Sequence, residues 1–124
     1  MSTALPVRLS SVAALAAVPA LFAPRPEAAK RFIEFFAAQI RNANTRKAYF
    51  RAVSRFAAWC ETNGLTELVD LEPVHVAAYV EQLGQRLAAP SVKQHLAAIR
   101  MLCDWLVVGQ VIATNPAAPV RGPR

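Results

Sequence analysis

From Pro26 onward apolar residues recur at three- and four-residue spacing, and no useful run of strict apolar–polar alternation interrupts them. The spacing predicts four helices. The first runs from Glu27 to about Arg41, with Pro26 and Glu27 suited to a first turn and Phe32, Phe36 and Ile40 as its buried stripe. Asn42 and Asn44 break it, and Asn44 is placed to cap a second helix from about Thr45 to Thr62, which Gly64 ends by turning left-handed. A third helix opens at Pro73 and continues to about Arg86, with Val76, Val80, Leu83 and Leu87 inward. A fourth begins near Ser91, an N-cap candidate after Pro90, and stops before Gly109; Val92, Leu96, Ile99, Leu102, Cys103 and Leu106 share one side. The expected fold class is all-α, a compact four-helix bundle.

The flanks read differently. Leu9 to Ala23 is mostly Ala, Val and Leu, a run that resembles the apolar stretch of a secretory signal but contains Pro19 and follows a single base, Arg8. It is also shorter than the roughly 20 residues that span a bilayer. Residues 1–25 are therefore expected to be an uncleaved, disordered tail with no membrane role, the alternative being that the apolar run docks on a helical neighbour. Residues 26–110 form the helical domain. Residues 111–124 carry three prolines and a glycine between Asn115 and Arg124, the composition of an extended linker.

Charge sharpens this picture. The chain of 124 residues carries 14 Lys and Arg against 8 Asp and Glu, net +6, which favours an anionic partner. The charge is unevenly distributed: nine bases and two acids in residues 1–60, five acids and no base in 61–85, five bases and one acid in 86–124. One part of the fold is thus expected to be basic, while Glu61, Glu67, Asp70, Glu72 and Glu81 point away from an anionic ligand.

At about 100° per residue, Tyr49, Ala52, Val53, Phe56, Trp59 and Cys60 fall in one apolar arc of the second helix. Lys47, Arg51, Ser54 and Ala58 lie opposite, flanked by Asn44 and Arg55, so the outer strip is basic, free of acids and lined with small residues. Such a strip suits a DNA groove, whereas an ordinary solvated face mixes Glu with Lys to gain i,i+4 pairs. The fourth helix repeats the design more weakly: Lys93, Gln94, Ala97 and Met101 lie outside its apolar arc, with Arg100 at the border. Gln94 is a candidate for reading an adenine edge, Lys93 and Arg100 for holding phosphates, and Ser91 for the backbone. Trp105 also falls outside the arc, which marks a contact for another helix, domain or protomer.

Asn44-Thr45-Arg-Lys-Ala-Tyr49, Phe56-Ala-Ala-Trp59-Cys, Ser91-Val-Lys-Gln-His-Leu96-Ala-Ala-Ile99-Arg100, the Gly109 stop and Asn115-Pro116-Ala together resemble the N-terminal core-binding domain of phage and bacterial tyrosine recombinases, the integrases. The resemblance spans roughly residues 27–124 and implies a SAM-like bundle forming one jaw of a clamp around double-stranded DNA. It carries Thr45, Arg46, Lys47 and Arg51, and Ser91, Lys93, Gln94 and Arg100, onto the two helices that face the major groove. Arg121 and Arg124 fall in what resembles the linker that follows the DNA backbone to a catalytic domain. Base reading is assigned to Arg46 and Gln94, phosphate contacts to Lys47, Arg51, Lys93 and Arg100, with Arg55 flanking the strip.

In that family a tyrosine nucleophile, arginines and a His-x-x-Arg element break DNA in a C-terminal domain. Here His75 is followed by Val-Ala-Ala and His95 by Leu-Ala-Ala, and Tyr49 and Tyr79 fall in or near apolar arcs, so strand cleavage by this chain is not expected. The remaining partners implied are that catalytic domain and other recombinase protomers in a synaptic complex. Cys60 and Cys103 sit in apolar stripes and read as buried thiols of a reduced, cytoplasmic protein. No metal-ligand spacing or phosphate-loop motif occurs, so no metal or cofactor is expected. Two other classes stay open: a helical protein-interaction module, and a helix-turn-helix regulator, against which the long Gly64–Glu72 connection counts.

Overall fold

The computed structural model describes residues 18–123. Four α-helices carry the fold: α1 Pro26–Glu34, α2 Ala43–Thr62, α3 Pro73–Gly84 and α4 Ala89–Val108. A π turn, Phe35–Gln39, continues α1, and a 3-10 turn, Leu68–Asp70, lies between α2 and α3. No strand occurs among the described residues, so the all-α expectation holds.

α4 is the central element and packs on α1, α2 and α3. Its expected inner stripe of Val92, Leu96, Ile99, Leu102, Cys103 and Leu106 is buried throughout, joined by Ala98. The arc of α2 is buried at Ala52, Val53, Phe56 and Cys60 and half-buried at Tyr49 and Trp59. Phe56, Trp59 and Tyr79 form one aromatic cluster between α2 and α3, and the Trp59 indole N–H donates to Gln82 Oε1 at 2.9 Å. A fully buried side chain such as Phe56 contributes about 1.5–3 kcal/mol.

Several local expectations differ from what forms. The first helix does not run unbroken to Arg41; its last turn widens at Phe35–Gln39 and the chain turns extended at Ile40. Phe35 and Phe36 are both buried there, with Phe36 5.0 Å from Phe32 and 5.3 Å from Phe50 between ring centroids. The cap of α2 is Asn42 rather than Asn44: its Oδ1 accepts from the Asn44 and Thr45 amides at 2.9 and 3.0 Å, so the helix begins two residues earlier than expected. Ser91 does not cap α4, because Pro90 fits inside the first turn and moves the start back to Ala89.

Both flanks are more involved than the composition suggests. Of the segment expected to be a disordered tail, residues 1–17 lie outside the described residues. Val18, Leu21 and Phe22 are buried, and the Phe22 ring sits 4.8 Å from that of Phe32. They follow the alternative of docking on a helical neighbour, since the apolar side chains would otherwise stay in water. The segment expected as an extended linker folds back over α4, burying Val111, Ala117 and Val120. Arg25 ties the two flanks together by donating to the Val111 carbonyl at 3.1 Å.

Helix ends follow the chain's stereochemistry. Gly64 takes φ +82° after α2, and the Leu65 and Gly64 amides close onto the Cys60 and Glu61 carbonyls at 2.9 and 3.0 Å. At the end of α4 the left-handed residue is Gln110, φ +61°, not Gly109. Gly109 serves a different purpose: a Cβ there would stand 2.5 Å from Arg31 Nε, so its bare backbone lets Arg31 approach.

Candidate nucleic-acid interface

α2 and α4 pack directly against one another. On α2, Lys47, Arg51 and Arg55 are exposed at four-residue intervals, one stripe along the helix, with exposed Ala58 beyond them. Ser54 is half-buried, its hydroxyl enclosed with no partner in the protein. On α4, Ser91, Lys93, Gln94 and Ala97 are exposed in the first two turns, and Met101 follows them. Arg55 and the half-buried His95 mark the junction: burial, and after it the nearby guanidinium, disfavours a charge on the imidazole. The exposed acids Glu61, Glu67, Asp70, Glu72 and Glu81 follow the Lys47–Arg55 stripe in the chain, from the end of α2 through α3.

Two of the basic side chains assigned to DNA are occupied elsewhere. Arg46 is half-buried and turns back to donate to the Ile40 carbonyl at 2.7 Å, satisfying a main-chain acceptor left at the end of the π turn. Arg100, also half-buried, donates from Nε to the Ala117 carbonyl at 3.2 Å and from a terminal nitrogen to the Val120 carbonyl. Thr45 is half-buried in the first turn of α2. Arg121 is exposed, and the adjoining Gly122 lies against Leu96 and Lys93. Asn115 has a larger part than its place in an Asn-Pro turn announces: its Nδ2 reaches the Arg100 carbonyl and Asp104 Oδ1 at 3.0 and 2.7 Å, and its Oδ1 accepts from the Ala117 amide at 2.8 Å. The Asn-Pro pair signals a turn, but only the folded chain shows which helix that turn meets.

Residues 28–111 match the family model described as phage integrase, N-terminal SAM-like domain, which is more than half of the chain. The chain belongs to this family. Among curated relatives, the tyrosine recombinase XerC of Xylella fastidiosa (strain 9a5c) is 36% identical over 84 residues, 67% of this chain and 29% of the relative. The tyrosine recombinase XerC of Xanthomonas campestris pv. campestris (strain B100) is 28% identical over 107 residues, 82% of this chain and 33% of the relative. The tyrosine recombinase XerD of Corynebacterium glutamicum is 33% identical over 88 residues, 66% of this chain and 29% of the relative. The chain thus spans about a third or less of the length of these relatives. No solved structure matches it significantly.

Elsewhere in this SAM-like domain Cys60, Cys103 and Tyr79 are built into the core. Burial pushes the Cys60 and Cys103 thiols up to about 12, and both are free and buried, as their place in apolar stripes predicts. Burial likewise raises the Tyr79 hydroxyl to about 12. His75 Nδ1 accepts the Glu72 amide at 2.9 Å, which fixes the start of α3. Among the described residues no cluster of His, Cys, Asp and Glu is placed to hold a metal ion, and no helix is long and apolar enough to cross a membrane.

Proposed function

We propose that this SAM-like domain grips double-stranded DNA through the joined outer faces of α2 and α4. In this reading it is the core-binding part of a cytoplasmic tyrosine recombinase and helps to select a recombination site. Strand cleavage belongs to a C-terminal catalytic domain reached through residues 111–124, and other recombinase protomers complete the synaptic assembly. The observation that carries the reading is the exposed stripe Lys47, Arg51, Arg55 on a helix packed directly against the one that exposes Lys93 and Gln94. A helix face that serves only solubility gains by mixing acids among its bases, and this stripe has none.

Lys47, Arg51 and Lys93 hold phosphates, with Arg55, Ser91 and Arg121 at the margins and Thr45 at the start of α2. Base reading rests on Gln94, whose amide matches the paired donor and acceptor of adenine in the major groove. Arg46, occupied by the Ile40 carbonyl, supports the surface from behind. The names of the relatives, tyrosine recombinases all, support placing such a surface in recombination.

Titration of isotope-labelled protein with short duplexes at two salt concentrations tests this. Amide shifts are expected to concentrate on α2 and α4, with about micromolar or weaker affinity and a salt slope near −0.9 per neutralised phosphate. The double variant Lys47→Glu, Arg51→Glu is expected to fold normally and to lose at least about tenfold in affinity at low salt. Binding that ignores both salt and this double reversal would overturn the reading.

A further inference from the structure

We infer that Arg86, the base just past α3, and Arg55 of α2 form one notch over the buried Tyr79 hydroxyl, and that this notch takes a single phosphate of the DNA backbone. The inference rests on the proposed DNA reading for the source of the phosphate but not for the notch as an anion site. In the chain Arg86 adjoins the acidic stretch that ends at Glu81. The fold parts them. Tyr79, Gln82 and Arg86 recur at three- and four-residue spacing on the face of α3 that meets Trp59 of α2. The helical turn carries on past Gly84, since Gln85 keeps right-handed dihedrals and the Arg86 amide closes on the Leu83 carbonyl at 3.0 Å. Glu81 lies on another side, lining a cleft with Pro119, Val120 and Arg121.

Tyr79 is 4% exposed, its ring 4.9 Å from that of Phe56 and 5.4 Å from that of Trp59, and its hydroxyl is enclosed with no partner in the protein. A buried hydroxyl left unpaired marks a place where a partner is missing. Burial dominates this group and raises it, yet Arg55 and Arg86 both stand near enough to pull the other way. Arg55 also acts on His95 of α4, after burial, so its guanidinium overlooks the meeting point of three helices. Arg25, Arg31, Arg46 and Arg100 are engaged by carboxylates or main-chain carbonyls. Arg55 and Arg86 are exposed, and among the described residues neither has an ion pair or a side-chain hydrogen bond. No acid occurs between Ala43 and Cys60 or between Gln82 and Cys103 to neutralise them. Two guanidiniums converging on one unpaired hydroxyl repel each other until an anion joins them. A phosphate offers oxygens to both forks and an acceptor to the hydroxyl.

The test uses the full chain, with inorganic phosphate as one probe and a short duplex as the other. Inorganic phosphate in the millimolar range is expected to shift the Arg55 and Arg86 side-chain Nε–H resonances together, and Arg86→Gln is expected to abolish the response of Arg55. With duplex at low salt, Arg55→Gln and Arg86→Gln are each expected to lose roughly fivefold in affinity, and the double variant well under the product, because one phosphate is shared. Lys47→Gln, at the other end of the stripe, is expected to multiply with Arg86→Gln. Tyr79→Phe is expected to weaken both probes roughly threefold while the unfolding midpoint holds or rises, a combination that a tyrosine serving only the core does not give. Phosphate that moves neither arginine, independent losses from Arg55 and Arg86, wild-type duplex affinity in Arg86→Gln, or wild-type phosphate binding in Tyr79→Phe each overturn the notch. If the unaltered chain binds phosphate between Arg55 and Arg86 but shows no salt-dependent duplex binding, the DNA reading fails while the anion site stands.

Discussion

Trp105 of α4 donates its indole N–H to the Arg31 carbonyl of α1 at 3.0 Å and carries the Arg31 guanidinium over its ring, 5.9 Å from the centroid. A tryptophan outside the apolar arc of its helix thus meets another helix of its own bundle. This removes the most conspicuous anchor for a protein-interaction module. Trp105→Phe keeps the ring and loses the N–H, and is expected to cost about 1 kcal/mol, read as a lower urea midpoint with unchanged slope. Duplex affinity is expected to stay at the wild-type value.

Arg46 and Lys47 are neighbours in sequence with opposite fates, one half-buried on the Ile40 carbonyl and one exposed. Arg46→Ala is expected to destabilise the fold by about 1.5–3 kcal/mol, since a charge-assisted bond is lost and a main-chain acceptor freed. Lys47→Ala is expected to leave the unfolding midpoint within about 0.5 kcal/mol and to reduce the salt slope of duplex binding by about one phosphate. Chemical denaturation and duplex titration of the two variants check the contrast, and a reversed pattern would count against the assignment.

The glycines and one glutamine at helix ends give a pair of expectations of opposite sign. Gln110 holds φ +61°, a conformation that costs a side-chain-bearing residue about 1–2 kcal/mol, so Gln110→Gly is expected to raise the melting temperature by a few degrees. Gly109→Ala is expected to lower it, because the new methyl group drives Arg31 off the Trp105 ring. Calorimetry of both variants decides.

His95 gives the fold a pH dependence. Burial, with Arg55 adding to it, holds the imidazole below its ordinary value of 6.5. The unfolded chain then binds the proton more tightly than the folded one. Stability is therefore fully present above about pH 6.5, declines as pH falls from there, and levels off below the lowered folded value. Urea midpoints collected downward from pH 8 are expected to drop in that window, and His95→Gln is expected to flatten that part of the curve.

How much of this is legible in the chain varies with the range of the interaction. The α4 stripe from Val92 to Leu106 is correct residue by residue, because burial on a helix follows a fixed angular period. Gly64 is right for an equally local reason, its tolerance of positive φ. Asn42 and Asn44 are harder to separate, since both are good caps and the choice depends on how the π turn before them ends. Within the candidate interface the exposed stripe Lys47, Arg51, Arg55 is legible from spacing, whereas the inward turns of Arg46 and Arg100 are not.

The amino-acid pattern by itself determined an all-helical bundle, which residues face its core, and the family to which the chain belongs, because periodicity, caps and spaced motifs are properties of short stretches. Tertiary structure alone decided which arginines are free. A guanidinium goes to whichever carbonyls folding leaves unpaired nearby, and the carbonyls that hold Arg100 belong to residues 17 and 20 positions further along the chain. It also decided that Val18, Leu21, Phe22, Ala117 and Val120 join the core, since a short apolar stretch is buried only when the remaining helices leave it a groove to fill.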